Sequence, residues 1–403
     1  MAVNRKKLAV IGASHFQLPL ILKAQEKGCE VHAFAWECGD VGESAADVFH
    51  PVSITEVERI AEECRRVGID GICTIASDLA TLAVNHTAQA LGLVGNSPEC
   101  THVSTDKAAM RRAFAEAGDP SPRSVAVSAG DADSFDPAQE GLRYPLIVKP
   151  TDRSGSRGVT KLEGSDPHAL RSALHDALQQ GFAGQAVVEE FVSGDEFSVE
   201  GISWKGEHRI LAITRKGTTG APHFIETSHL QPAGIDEPTS ARVRQVVAHA
   251  LGTLGIRYGA SHSELKIDHD GSIRIIEIGA RMGGDCIGSH LVQLSTGIDF
   301  VGAVVDVALG IEPDLAPCHK PAAAAVRFLF GEADRRALDQ LRIDHPDFVR
   351  YVHLDEEALR KAQAGSHHIT DSSTRLGHFV MSAPGVADLA PYLPAELEGG
   401  MAN

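Results

Sequence analysis

Apolar and polar positions along the first hundred residues alternate between two periods. Leu8 to Gly12 is a short apolar run and reads as a strand, followed by a helical pattern over Leu18 to Lys27. Val31 to Trp36 predicts a second strand, Glu56 to Val67 an amphipathic helix and Gly71 to Ile75 a third strand. Strands separated by helical patterns imply βαβ units and a parallel sheet. The turn after the first run, Gly12-Ala13-Ser14-His15-Phe16, lacks the GxGxxG spacing of a dinucleotide site, so Gly12 reads as a tight turn. Near Ser104 the character changes. Ser104-Thr105-Asp106-Lys107 predicts the cap and first turn of a helix to about Ala117, and a Pro/Ser/Asp-rich connection covers 118–137. Pro145 to Pro150 reads as a strand, Val187 to Leu211 as mostly strand, and Thr239 to Leu254 as a helix behind Pro238. Val301 to Leu309 is apolar and helical, Pro313 to Ala325 a Pro/Ala-rich seam, and a smaller α/β tail follows.

Three segments can carry chemistry. Thr151 to Val159, with Ser154, Gly155, Ser156 and Gly158 between Arg153 and Arg157, lies between two strands. Its glycines permit close backbone approach and its amides can cradle a polyphosphate, although a plain hairpin fits the pattern as well. It is not a P-loop, because GxxxxGK[ST] is absent from the chain. Ser261 to Ile267 and Ser272 to Ile278 form the second segment. A two-residue turn at Asp270-Gly271 sets Glu264 directly opposite Glu277, with His262 and Arg281 on the same face. Cross-strand neighbours lie about 4.5–5.5 Å apart, where like charges repel unless a cation separates them. Hard carboxylate oxygens suit Mg²⁺ carried with nucleotide phosphates; solvated glutamates on an exposed hairpin are the alternative. The third segment, Val187 to Val199, joins an apolar strand end to a Gly-Asp-Glu turn and is ordinary by itself.

Composition narrows the classes. The chain has 403 residues, 43% hydrophobic and 23% charged, which suits two or three globular domains. Its 37 Lys and Arg against 54 Asp and Glu leave a net charge of -17, which disfavours nucleic-acid wrapping but not an anionic small substrate. Seven cysteines with no CxxC pair read as free buried thiols in a reducing compartment. The basic N-terminus precedes only six apolar residues, too few for a signal or membrane segment, so a cytoplasmic location is expected.

The order of these segments resembles the ATP-grasp superfamily: Lys107 before a helix, Lys149 ending a strand, a Gly/Ser loop, Glu-Glu-Phe-Val with Gly-Asp-Glu, then Glu264 and Glu-Ile-Gly-Ala-Arg. The resemblance covers about Ser104 to Leu309. It implies an α/β architecture: an ATP-grasp fold over 104–312, with a lid subdomain near 120–190, preceded by a Rossmann-like parallel domain over 1–103 and followed by a small α/β lobe over 313–403. It further implies that Lys107 and Lys149 contact ATP phosphates and that the loop through Ser154, Gly155, Ser156 and Gly158 closes over them. Glu189 would accept from the adenine amine, Phe191 and Val192 would offer backbone contacts, and Glu196 would hold the ribose. Glu264 and Glu277 would bind two Mg²⁺ ions, with Mn²⁺ as an alternative. One departure is Gly279, where many relatives carry a metal-binding Asn.

Within that superfamily, Glu226-x-x-His229 ahead of Pro232, together with Arg281-Met282-Gly283-Gly284-Asp285, is similar to the L-amino-acid ligases. That similarity implies an ADP-forming carboxylate–amine ligase that makes an amide through an acyl phosphate from small-molecule carboxylate and amine substrates, amino acids above all. Glu226 and His229 would face the substrates' charged ends, Arg281 would stabilise the acyl phosphate, and Gly283 and Gly284 would bring backbone to the reacting carbonyl. Asp285 would widen the pocket or pair with a substrate ammonium. The tail Asp371-Ser372-Ser373-Thr374-Arg375-Leu376-Gly377-His378 also resembles the C-terminal part of these ligases, which implies a part in closing the site; a simple β-turn fits it equally well. A purine-pathway ligase or carboxylase, and a nucleotide-binding regulator without turnover, are the alternatives. Neither nucleic acid nor a membrane is expected as a partner, and a homodimer is left open.

Overall fold

The computed structural model describes residues 5–155, 157–220, 224–363, 372–394 and 397. The first sheet is parallel, as the alternation predicts. It contains β1 (Lys7–Ile11), β2 (Glu30–Ala35), β3 (Val48–Pro51) and β4 (Gly71–Cys73) in the order β3-β2-β1-β4. The edge strand β3 and the helices Asp78–Leu91 and Pro98–Thr105 are additions to the sequence reading. Gly12 does turn the chain tightly at φ +101°, and a Cβ there would meet the Gln17 side chain at 2.8 Å.

A second, antiparallel sheet holds β5 (Ser124–Ser128), β6 (Leu146–Pro150), β7 (Thr160–Leu162) and β8 (Gln185–Glu190) in the order β5-β8-β6-β7. The supposed connection 118–137 thus contains a strand, since Ser124 to Ser128 pairs along its whole length with β8. The third sheet has eight strands: β9 (Asp195–Trp204), β10 (Glu207–Thr218), β11 (Glu226–Gln231), β12 (Gly259–Ile267), β13 (Ile273–Gly279), β14 (Ala323–Phe328), β15 (Val349–Leu354) and β16 (Gly377–Ala383). Their order is β13-β12-β9-β10-β11-β14-β16-β15, so the C-terminal strands extend the central sheet through β11 and β14.

The cap expected at Ser104 sits two residues later. Ser104 belongs to the preceding helix, and Asp106 caps Lys107–Ala117 by accepting from the Ala109 N–H. The helix predicted behind Pro238 begins at Glu237, with Asp236 accepting from the Thr239 N–H and Pro238 in the first turn, where its missing N–H is harmless. The helix Phe300–Ala308 is apolar on nearly all sides because it lies between the parallel sheet and the central sheet, in one core with Leu20, Val31 and Ile202. Among the described residues no single helix is long and apolar enough to cross a membrane. All seven cysteines are free; Cys38 and Cys318 are exposed, contrary to the expectation that all are buried.

Candidate active site

Glu264 does stand opposite Glu277, but for a different reason from the one the turn suggested. Ile267 pairs with Ile273, so the connection is five residues long, and a bulge at Ile276 then shifts the register by one. The two departures cancel at the glutamates. Each carboxylate meets a lysine at 2.8 Å: Lys107 Nζ donates to Glu277 Oε1, and Lys216 Nζ to Glu264 Oε1.

Lys107 is the first residue of its helix, and Arg111 lies one turn on, on the same face. Arg111 Nε donates to Glu189 Oε2 at 2.9 Å and Nη2 to the Ile276 carbonyl at 2.6 Å. Lys149 pairs with the other oxygen of Glu189. Burial opposes the charge of Glu189, but Arg111 and Lys149 outweigh it and hold the carboxyl at about 2. Glu189 is therefore turned to these cations rather than standing free for an adenine amine. Burial lowers the Lys149 pKa, and the cations Arg111 and Lys107 add to that despite Glu189, leaving an ammonium short of negative charge.

The sequence reading missed Lys216, on β10. Its ammonium lies 2.7 Å from Glu196, 2.8 Å from Glu264 and 3.7 Å from Glu226. Burial works against its charge, yet the three carboxylates raise its pKa well above the ordinary value. A lysine on a strand flanked by Ala212, Ile213 and Thr214, all buried, is the signal that could have found it. Glu200 was likewise missed, whereas His262 lies beside the acids as the hairpin register predicts. Glu200 is fully buried against His262 Nδ1, and its other oxygen accepts from the Gly283 N–H at 2.9 Å.

A cleft of about 180 Å³ separates the second sheet from the central one, bounded by Ile147, Lys149, Phe191, Val192 and Ile276. The Phe191 N–H is already donated to the Pro145 carbonyl, and its ring lies under Lys161 at 4.0 Å. Ser154 and Gly155 line this cleft and the adjoining one. Gly155 and Gly158 both take positive φ, +70° and +68°. The Arg153 carbonyl accepts from Lys107 Nζ at 2.7 Å, which ties the start of the loop to the acid pair. Ser156 lies outside the described residues.

The adjoining cavity brings together Arg281, Glu226, His229, Gly284 and Asp285 and shares Lys216 and Glu264 with the first. Arg281 grips Asp78 of the N-terminal region through Nε and Nη2, both at 2.8 Å. Glu226 Oε2 accepts from Arg375 at 2.6 Å, and Arg375 also donates to Asp285 at 2.8 Å while stacking 3.8 Å over Phe328. Asp285 is therefore already paired with a cation of the chain's own tail. His229 is buried with Nε2 at 4.0 Å from Asp285, and burial lowers its pKa. Gly283 turns its amide inward to Glu200 rather than to the cavity, whereas Gly284 lines it.

Comparison with known proteins agrees with this fold. Residues 142–289 match the ATP-grasp domain family. Alanine–anticapsin ligase of Bacillus subtilis (strain 168) is 28% identical over 309 residues, covering 68% of this chain. The match spans 64% of that relative's length, just under two thirds. The L-amino acid ligase from Bacillus licheniformis superposes with a TM-score of 0.76 at 24% identity, over 99% of this chain and 98% of that one. Carboxyaminoimidazole ribonucleotide synthase from Aspergillus clavatus, complexed with ATP, gives 0.77 at 15% identity, over 99% and 98%. These two likenesses establish the fold. With its parallel N-terminal sheet, its antiparallel ATP-grasp sheets and these sequence relatives, the chain is an ATP-grasp domain protein related to the alanine–anticapsin ligases.

Proposed function

We propose that the chain is an ATP-dependent carboxylate–amine ligase, ADP-forming, that joins amino-acid substrates through an acyl phosphate. The observation that carries this reading is the continuity of the cleft. Lys216, Glu264, Ser154 and Gly155 line both the cavity walled by Lys149 and Val192 and the cavity holding Arg281, Glu226 and Gly284. A phosphate chain lying along the first can present its terminal group to a carboxylate in the second.

The donor set fits a divalent cation. Glu264 and Glu277 are opposed across one strand pair, and each is neutralised by a lysine that phosphate oxygens can draw away. No group of three His, Cys, Asp or Glu ligands exists among the described residues, so phosphate and water would complete the shell. Bound there, Mg²⁺ would polarise the terminal phosphate and offset charge as it transfers. Gly279 contributes no side-chain ligand atom.

Lys107 and Lys149 suit the phosphates, the loop at Ser154, Gly155, Ser156 and Gly158 suits a cover, and Glu196 suits the ribose. The Phe191 carbonyl and the Val192 N–H remain to meet the base. A substrate carboxylate oxygen attacks the terminal phosphorus, the bridging P–O bond breaks, and ADP leaves with the electron pair. The amine then attacks the acyl carbon, the C–O bond to phosphate breaks, and the nitrogen sheds a proton as the amide forms. Arg281 stabilises the oxyanion of this step. Glu226 and His229 face the charged ends of the substrates.

The test is ADP release with Mg-ATP. The proposal requires release only when a carboxylate and an amine are both present, and its loss in Glu277→Gln. Tight ATP binding without turnover on any pair would make the chain a nucleotide-binding regulator instead.

A further inference from the structure

Arg281 reaches the candidate site from the end of β13, on a long flexible stem, with Glu200 and Glu277 both near enough to attract its charge. Its partner is neither of these. Asp78, the first residue of the helix Asp78–Leu91, crosses from the N-terminal region and takes Nε and Nη2 in a two-point clamp at 2.8 Å each. Such paired, planar contacts fix orientation as well as position. Among the described residues Nη1 has only the Met282 carbonyl, at 3.4 Å, which leaves that edge of the guanidinium for a ligand in the cavity.

The backbone on both sides is built around this contact. Ile75 pairs with Met282 in an isolated parallel bridge, and the Ala76 N–H donates to the Met282 carbonyl at 3.1 Å. Ala76 takes φ +61°, an uncommon conformation for a residue with a Cβ, just where the segment bends toward Asp78. Ser77 then caps the helix by accepting from the Ala80 N–H, which pins Asp78 at its start. Gly279 completes the arrangement. A Cβ at that position would stand 2.6 Å from Asp78 Oδ1 and 3.3 Å from Arg281 Nε. The missing side chain at 279 is therefore the space that the clamp occupies.

We infer that Asp78 is the positioning residue for Arg281, and that the N-terminal region thereby sets the geometry of the amide-forming end of the site. This rests on the ligase reading above. Asp78 touches no reacting atom; it acts by holding the guanidinium, and Gly279 is the condition for its doing so. Since misplacing a reacting group by about 1 Å costs on the order of 100-fold in rate, loss of the clamp should appear in kcat.

The experiment compares wild type, Asp78→Asn, Gly279→Ala and Arg281→Lys, with the double variant Asp78→Asn/Arg281→Lys, after thermal melting has shown each to be folded. Asp78→Asn is expected to lower kcat for amide formation about 100-fold and to leave the KM for ATP unchanged. A merely structural role would disturb both. Gly279→Ala, which keeps Asp78 but crowds it, should move kcat in the same direction. The double variant should be no slower than Arg281→Lys alone, because each change removes the same contact. Wild-type kcat in Asp78→Asn, or losses that multiply in the double variant, would overturn the inference. If the wild type forms no amide from any pair, the ligase reading fails, and the clamp is judged by NMR. The Arg281 Nε–H resonance must shift or broaden in Asp78→Asn; an unchanged resonance would refute it.

Discussion

Lys216 bridges Glu196 and Glu264, with its own side chain only 3% exposed. Removing it takes from both partly buried carboxylates the cation they share. Lys216→Met should therefore cost about 1–3 kcal/mol of stability, the penalty for leaving buried polar partners unmade. Added Mg²⁺ should recover part of the loss in melting temperature, since it takes over the same oxygens. His262 carries the opposite logic. Burial alone would lower its pKa, but Glu200 and Glu264 outweigh it and raise the imidazole to about 9. A group raised above its unfolded value near 6.5 stabilises fully below that value and loses its contribution as pH climbs through 9. The full effect is about 3 kcal/mol. Melting temperature should thus fall between pH 6.5 and 9, and His262→Gln should flatten that slope. Such pairings were hard to read from sequence because the partners are far apart: Asp78 and Arg281 lie 203 positions from each other, and Glu226 and Arg375 149.

Elements were more legible than pairings where the chemistry is local to a strand or hairpin. The apolar run ending at Lys149 reads directly as a strand delivering its last side chain, and β6 does so. The Glu264–Glu277 opposition was also legible, although the predicted turn was too short and the Ile276 bulge invisible, because one error compensated the other. β5 was lost among Pro, Ser and Asp residues, whose turn propensity is overridden by pairing with β8. The loop between β6 and β7 yields the element-scale prediction. Gly155 has φ +70° and open space around its missing Cβ apart from Ser372 at 3.7 Å, so a side chain there meets backbone strain rather than a clash. Holding a β-branched residue in that conformation costs about 1–3 kcal/mol. Gly155→Val should raise the KM for ATP by roughly tenfold while melting within a few degrees of wild type. An unchanged KM would mean that the loop does not close on the nucleotide.

At the scale of the whole molecule, the C-terminal residues are part of the central sheet rather than an appendage. β16 is hydrogen-bonded on both sides, to β14 and β15, and Phe379 and Met381 are fully buried beside Leu230 of β11. Arg375, just ahead of β16, supplies the cation for Glu226 and Asp285. Truncation at residue 346 should accordingly give no cooperative melting transition, rather than a shorter ATP-binding core. The composition and the order of motifs made the architecture readable. How far the tail and the N-terminal region enter the site was not readable, since that depends on which faces of three sheets meet. The central claim, that one continuous cleft couples ATP cleavage to amide formation, is tested most directly by product analysis. ADP and phosphate release with Mg-ATP would be followed across pairs of L-amino acids and with single amino acids, with mass spectrometry on the products. The account predicts ADP release with particular pairs only, in step with a product lighter than the two substrates by one water. ADP released equally with single amino acids and without a dehydrated product, or no release with any pair, would contradict it.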